Sequence, residues 1–523
     1  MAKLKNDPRH LLSLFNFKRR KNCIRDFYDF DVEQFERMLR ENGEEFWLKI
    51  GEKRALDIFH KSAERVPAYA DFLRRHKVRH FAIKTIEDFR SVPLTDKENY
   101  IQKYPLSMRS WNGELARAHI AAMSSGTSGE ATLWPREDFQ EFEAAIIHEL
   151  LYRSTFEIDK YATLLVIGFP MGVYVSGVAT LLPSYLVAAK GYPMTIASVG
   201  NNKTEMLRVI RNLQKEYEQI ILVGHPLSIK YVVESGVQSG IIWSKKRVRM
   251  MFCSEEFSEK WRKYVIHEAD AGSLLKSTLS TYGSSEMLLM AYETPLSIMV
   301  RNYMERQEDF KTGLVESGAV PNIFQYNPFL RYIESVNNEL IFTAASGIPL
   351  IRFNLHDSGV VFSFEKVKAA LETTDYAKQK EFSDIDEKLF WQLPFVALRG
   401  RSDYKIIFYA ANIYPEHIRP ALSQSALFPK LTGKFVLRKD YLKNMDEFLE
   451  INVELRKDVK LSRQLASKIR DLVMEHLQKV NMEYRFICTN NPGKDFRPRI
   501  KLFPYQHEKY FKPGLKPRYI AKP

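Results

Sequence analysis

From Thr163 onward short apolar runs alternate with stretches of helical spacing, and a chain written this way is constrained to an α/β architecture with largely parallel sheet. Thr163–Ile167, Gln219–Val223 and Arg247–Phe252 are the strand-like runs, while Thr204–Glu218 and Ser228–Ser235 have helical spacing. Each apolar run ends in a loop rich in Gly, Ser, Pro or His, and in such sheets ligands gather at the carboxyl ends of the strands. Glu339–Thr343 and Leu350–Phe353 suggest a β-rich section. Around Leu398–Asp403 the pattern changes: Lys405–Phe408, Gly433–Leu437 and Leu449–Leu455 read as short strands and Ser462–Lys479 as an amphipathic helix. The expected organisation is a large domain over 1–399, its first hundred residues mainly helical through Asp31–Glu52 and Arg54–Arg75, and a small α+β domain over 400–523.

The charge and cysteine content exclude several classes. A net charge of +14 suits a polyanionic partner, but the excess is spread along the chain, and no zinc-finger, helix-turn-helix or RNA-binding signature accompanies it. No nucleic acid partner is expected. The 3 cysteines (Cys23, Cys253, Cys488) are too scattered for a disulfide framework or a metal cluster. They fit a reducing compartment, and no apolar signal core follows Met1, so a cytoplasmic location is expected. Residues 163–189 carry no charge and are long enough to span a bilayer. Pro170, Gly172, Gly177 and Pro183 interrupt them, so a buried strand, a loop and a buried helix are expected instead of a span.

The segment most specific for chemistry is Met123–Thr132, where Ser124, Ser125, Thr127 and Ser128 crowd around Gly126 and Gly129. Glycine permits close backbone approach, successive N–H groups in such a turn make an anion-binding nest, and hydroxyls add donors. That suits a polyphosphate, although Ser/Gly clusters also serve as plain linkers. No Gly-Lys-Ser/Thr follows, so this is not the nucleotide P-loop.

Ser124–Thr132 resembles the Ser-Ser-Gly-Thr-Ser-Gly-x-Pro-Thr phosphate loop of the adenylate-forming enzymes, with Ala131 at the usual Pro. Further segments resemble that family's elements in its order. They are Val223–Pro226, Met251–Glu255 (Cys253 where Gly is usual), Thr281–Glu286 (Tyr-Gly-x-Ser-Glu), Pro349–Phe353 followed by Asp357, and Gly400–Asp403 followed by Asn412–Pro415. Upstream, Val66–Tyr69 and Val92–Lys97 resemble the amino-terminal region of the phenylacetate–coenzyme A ligase branch.

The resemblance implies activation of a carboxylic acid by ATP to an acyl-adenylate, then transfer to coenzyme A, with Mg²⁺ as cofactor. In that reading Ser124, Ser125, Gly126, Thr127, Ser128 and Gly129 hold the departing phosphates and Glu286 is both catalytic and the metal ligand. Tyr282 stacks on or flanks the adenine, Gly283 and Ser284 belong to the same nucleotide-binding element, Ser254 and Glu255 line the base pocket, Asp357 accepts from the ribose hydroxyls, and Arg401 reaches the ribose or phosphate. Phe169, Tyr174 and Val178 build an apolar acyl pocket suited to an aryl or fatty acid, with His225 beside the substrate carboxylate. Asp403 is the hinge of a mobile carboxyl-terminal lid. Singly, each of these residues has an ordinary structural alternative: core packing, a helix cap or a turn.

Two departures keep alternatives open. The family's bridging lysine falls at Lys494 by its Gly-Lys-x-x-Arg spacing, with Lys501 close behind, and Asp495 is an awkward neighbour for an anion site. Ala410 replaces a glycine that lets pantetheine pass. An adenylating transferase with an amine, hydroxyl or protein acceptor, and a non-catalytic nucleotide-binding homologue, therefore stand beside the coenzyme A ligase. Leu288–Arg306 holds no Cys or His, so no structural zinc is expected. A second copy of the chain is left open as a partner.

Overall fold

A computed structural model of the protein describes residues 23–124, 132–172, 175–316, 320–379, 382, 385–387, 390–401, 406–409, 411–424, 426–427, 429–491, 493–511 and 520–521. They form two compact units, one reaching Gly400 and the other beginning at Arg401.

After a short helix, Cys23–Tyr28, the first unit continues with the helices Val32–Glu41, Glu44–Arg65 and Pro67–Arg75. Asp31 caps the first by accepting from the Gln34 N–H at 2.9 Å, and Pro67 starts the third where its missing N–H costs nothing. Strands β1 (Ile120–Ser124) and β2 (Thr132–Arg136) form an antiparallel hairpin. There follow β3 (Thr163–Ile167), β4 (Met194–Ser198), β5 (Gln219–Gly224), β6 (Arg247–Cys253), β7 (Thr278–Ser284), β8 (Leu288–Tyr292), β9 (Asn322–Gln325), β10 (Tyr332–Val336), β11 (Glu339–Ala344), β12 (Leu350–Phe362) and β13 (Phe395–Arg401). Together these make one sheet in the order β10-β11-β12-β13-β9-β8-β7-β6-β5-β3-β4.

The parallel part runs β7-β6-β5-β3-β4. β3 and β5 are buried along their whole length, as expected of apolar runs covered on both faces. The β-rich section is not separate. From β8 onward it continues the same sheet, with antiparallel pairing at β7-β8, β9-β13, β10-β11 and β11-β12. The uncharged 163–189 run divides into β3 and the helix Val175–Ala188, and among the described residues no helix is long and apolar enough to cross a membrane. The helix expected over Thr204–Glu218 ends at Leu213, and a short 3₁₀ turn follows.

In the second unit β14 (Ile406–Phe408) pairs with β15 (Ala411–Ile413), while β16 (Leu431–Tyr441), β17 (Glu447–Leu455) and β18 (Arg499–Phe503) form a second sheet. The helix Arg463–Val480 buries Leu465, Ile469, Val473 and Leu477, spaced at one helical turn, so one stripe faces the core. Two elements not among those expected complete this unit: Arg499–Phe503 adds a parallel strand to β17, and the helix Met482–Asn490 precedes it.

Candidate active site

Four adjacent parallel strands, β3, β5, β6 and β7, end on one edge of the sheet, because Ile167, Val223, Met251 and Leu279 stand in a register row. The residues following these strands therefore share that edge. They include Phe169 after β3, His225 after β5, Ser254 and Glu255 after β6, and the turn through Glu286 after β7. Ser254 adopts φ +79, a left-handed conformation unusual for a residue with a Cβ, which turns the chain sharply off β6.

Tyr282 and Asp357 are joined directly: the buried phenol donates to Asp357 Oδ2 from 75 residues away in sequence. The ring of Tyr282 stacks on Phe324 with centroids 5.9 Å apart. Gly283 and Ser284 close β7, and Glu286 lies in the turn to β8 with 4% of its surface exposed. Lys97 Nζ stands 2.7 Å from Glu286 Oε1. Sequence reasoning quoted the segment holding Lys97 but gave this lysine no role. Its place follows from docking of that segment on β12: Thr95 Oγ1 donates to the Ile351 carbonyl at 2.8 Å, and the Asn354 N–H donates to the Thr95 carbonyl at 2.7 Å. Arg352 completes the clamp, holding Glu334 with two bonds of 3.1 Å and the Val92 carbonyl at 2.5 Å. The Pro-Leu-Ile-Arg segment thus works as a buried brace.

The hairpin is anchored beside Glu286. Ser346 Oγ donates to the Glu286 carbonyl at 3.0 Å, Trp111 Nε1 donates to the Ser346 carbonyl at 2.8 Å, and the Gly347 N–H donates to Gln140 Oε1 at 2.8 Å. A Cβ on Gly347 would stand 2.1 Å from the Pro135 carbonyl oxygen of β2, so only glycine lets these two backbones meet. Below them Glu143, fully buried, accepts from Arg54 and from Arg331 Nη1 at 2.7 Å, and Arg331 Nη2 donates to the Met287 carbonyl at 2.9 Å. Ser346, Gln140, Glu143 and Arg331 were missed from sequence, because nothing local marks residues so far apart as neighbours.

Ser124 ends β1 opposite Thr132. Ser125, Gly126, Thr127, Ser128 and Gly129 lie outside the described residues, as do Tyr174 and Asp403. Arg401 is the last residue of β13. Phe169 is buried, Val178 is half-buried in the helix Val175–Ala188, and that helix rests on the loop after β3, since a Cβ on Gly177 would come within 2.3 Å of the Pro170 carbonyl. Phe169 meets His225 edge to face at 5.1 Å. Burial pushes the His225 pKa down to about 4, only partly opposed by a hydrogen bond to the Cys253 backbone.

In the second unit Lys494 follows Gly493, whose φ is +92, and its Nζ lies 3.0 Å from Asp446 Oδ2. Lys501, on β18, lies 2.6 Å from Glu450 Oε2. Asp495 takes a two-pronged pairing with Arg497 at 2.7 and 2.8 Å.

No protein-family model and no curated protein matches the chain. Among solved structures it is similar to 2-hydroxyisobutyryl-CoA ligase in complex with 2-HIB-AMP and CoA in the thioesterification state. The TM-score is 0.60 at 13% identity, over 91% of this chain and 89% of that one. The same ligase in the postadenylation state with R3-HIB-AMP gives a TM-score of 0.51 at 13% identity, over 91% and 89% of the two chains. The chain therefore has the fold of the adenylate-forming enzymes.

Proposed function

We propose that the protein activates a carboxylic acid with ATP, forming an acyl-adenylate and releasing pyrophosphate, and then passes the acyl group to coenzyme A. The observation that carries this reading is the Tyr282–Asp357 hydrogen bond. It joins two segments that resemble nucleotide-binding motifs, within a fold that in its ligase neighbour holds an acyl-AMP. Asp357 presents a carboxylate suited to ribose hydroxyls, and Tyr282 offers a ring face to the base.

In this reading the 124–129 loop, rooted in the hairpin beside Glu286, holds the phosphates with backbone N–H groups and hydroxyls. Glu286 fits a Mg²⁺ site: it is a buried carboxylate already balanced by one cation, Lys97, and carboxylate oxygen is the donor that hard cations prefer. Mg²⁺ would neutralise phosphate charge there. The chain positions the carboxylate for attack on the α-phosphate, so the rate rests on orientation and charge placement. Phe169 and Val178 form the apolar wall for an aryl or fatty acid, and Lys494 or Lys501 supplies the bridging cation after leaving its carboxylate partner. The large unit is the nucleotide domain, the unit after Arg401 is the lid, and Asp403 is its hinge. Acyl transfer to an amine, hydroxyl or protein is the second reading, favoured by Ala410 in place of a small glycine.

The test is acid-stimulated ATP–pyrophosphate exchange across a panel of carboxylic acids. Exchange by the native chain, abolished in Glu286→Gln and cut sharply in only one of Lys494→Ala and Lys501→Ala, is the expected result. Failure to bind adenine nucleotide would end the reading. Product formation with and without coenzyme A separates the two acceptors.

A further inference from the structure

The positive excess that looks spread along the sequence divides sharply at the boundary between the two units. Residues 401–523 hold 25 Lys and Arg against 13 Asp and Glu, a net +12, while residues 1–400 come to +2. Within the second unit the charge is uneven again. Toward the start of β17 the cations are matched by carboxylates: Lys439 by Glu447, Lys494 by Asp446 and Lys501 by Glu450.

The other end of that sheet is different. β17 and β18 are parallel, so both finish there, and the helix Arg463–Val480 between them starts there to run back across the sheet. β16 begins there too, since Leu431 stands opposite Leu455, and the Arg456 N–H donates to the Lys430 carbonyl at 3.0 Å. The Gln506 N–H donates to Glu454 Oε1 at 2.7 Å, which holds the turn after β18 against the end of β17. Lys430, Arg456, Lys457, Lys460, Arg463 and Lys509 are thereby gathered at one end, all exposed, with Asp458 and Glu508 as the exposed acids of the same segments. Among the described residues Lys430, Lys457, Lys460 and Arg463 enter no ion pair. Two large apolar side chains stand with these cations: Leu461 is 60% exposed and Tyr505 43%.

Unmatched cations beside exposed apolar side chains, all on loops at a sheet end, fit one kind of partner. An anionic lipid surface meets both needs at once, because its headgroups take the cations and its interfacial layer takes Leu and Tyr out of water. A nucleic acid backbone would match the charge but leave Leu461 in water. We propose that this end of the second unit docks reversibly on an anionic membrane surface, through the cations gathered by β16, β17 and β18 and through Leu461 and Tyr505. Apolar acids partition into the same layer, so docking brings the proposed acid-activating chain to its substrate; the docking itself does not depend on that reading.

Sedimentation of the full chain with vesicles tests the proposal, using phosphatidylcholine alone and phosphatidylcholine with about 30% phosphatidylserine. The expected result is at least about 10-fold tighter binding to the anionic vesicles, lost as salt rises from about 0.1 to about 0.5 M. The double variant Lys457→Gln, Lys460→Gln should bind about 25-fold more weakly, at about fivefold for each charge removed. Leu461→Ser should weaken binding about 10-fold and leave its salt dependence unchanged. All three positions are exposed, so thermal unfolding of both variants should match the native chain. Equal binding to the two kinds of vesicle, binding to neither, or variants that bind as the native chain does would overturn the proposal. So would displacement from the vesicles by a DNA duplex or RNA whose affinity is untouched in Leu461→Ser, which would assign these cations to nucleic acid.

Discussion

Two buried histidines make the protein acid-sensitive at the level of single residues. His148 is buried in the helix Asp138–Ser154, with Nδ1 2.7 Å from the Ala144 carbonyl, and burial pushes its pKa down to about 4; His225 is displaced alike. The unfolded chain protonates both near pH 6.5, so below that pH the unfolded state binds more protons and stability falls as pH drops toward 4. Above pH 6.5 the term is constant. One such histidine removes about 2 kcal/mol at pH 5. Urea unfolding of the native chain and His148→Gln at pH 7 and pH 5 checks this: the variant should lose about 2 kcal/mol less between the two. Identical pH slopes would refute it. Tyr282→Phe tests a contact of the proposed nucleotide site. Removing the hydroxyl that donates to Asp357 should weaken adenine-nucleotide binding about 10-fold, read by calorimetry, and lower stability by about 1–3 kcal/mol, because a buried carboxylate oxygen loses its donor. An unchanged Kd would separate this pair from the nucleotide.

At the scale of elements, the contact of β2 with the Ser346–Gly347 segment is the joint on which the hairpin depends. Gly347→Ala places a methyl carbon where only 2.1 Å separates it from the Pro135 oxygen, and neither backbone is a flexible side-chain end that can step aside. Destabilisation of about 1–3 kcal/mol is expected, with nucleotide affinity falling alongside it because the root of the loop shifts. Calorimetric unfolding and nucleotide titration of the variant check both parts, and a variant with native values for both would show that the joint yields. This joint also shows what sequence can and cannot convey. The runs Thr163–Ile167, Gln219–Val223 and Arg247–Phe252 were legible because a strand buried on both faces must be apolar throughout, and all three lie within observed strands. β18 was not legible: Arg499 and Lys501 alternate with Ile500 and Leu502 on a partly exposed strand, so no continuous apolar run marks it. In the site, the segments holding Tyr282, Glu286 and Asp357 were readable as motifs. Lys97 was not assigned, because its approach to Glu286 is made by docking of its own segment, through Val92 and Thr95, on Ile351 and Arg352 far along the chain.

At the scale of the whole molecule, the division at Arg401 separates the proposed nucleotide site from the proposed bridging cation. Every first-unit contact described above, from Lys97–Glu286 to Tyr282–Asp357, closes within residues up to Gly400, and the sheet of that unit is complete without the second. The second unit has its own core, with Leu449, Ile451, Val453 and Leu455 on β17 and the apolar stripe of the helix Arg463–Val480. Both candidate lysines belong to it and are balanced within it, Lys494 by Asp446 and Lys501 by Glu450. A fragment ending at residue 400 should therefore fold with a cooperative transition and bind adenine nucleotide, since each has its determinants inside the fragment. It should lose acid-stimulated pyrophosphate exchange by at least about 100-fold, the scale on which a cation aimed at developing charge acts. Full exchange by the fragment would show that neither lysine is the bridging cation. Loss of nucleotide binding in a folded fragment would show that the second unit contributes to the nucleotide site itself. The single variants and the fragment together distinguish a lost cation from a lost domain: only a cation effect is reproduced by one substitution at full length.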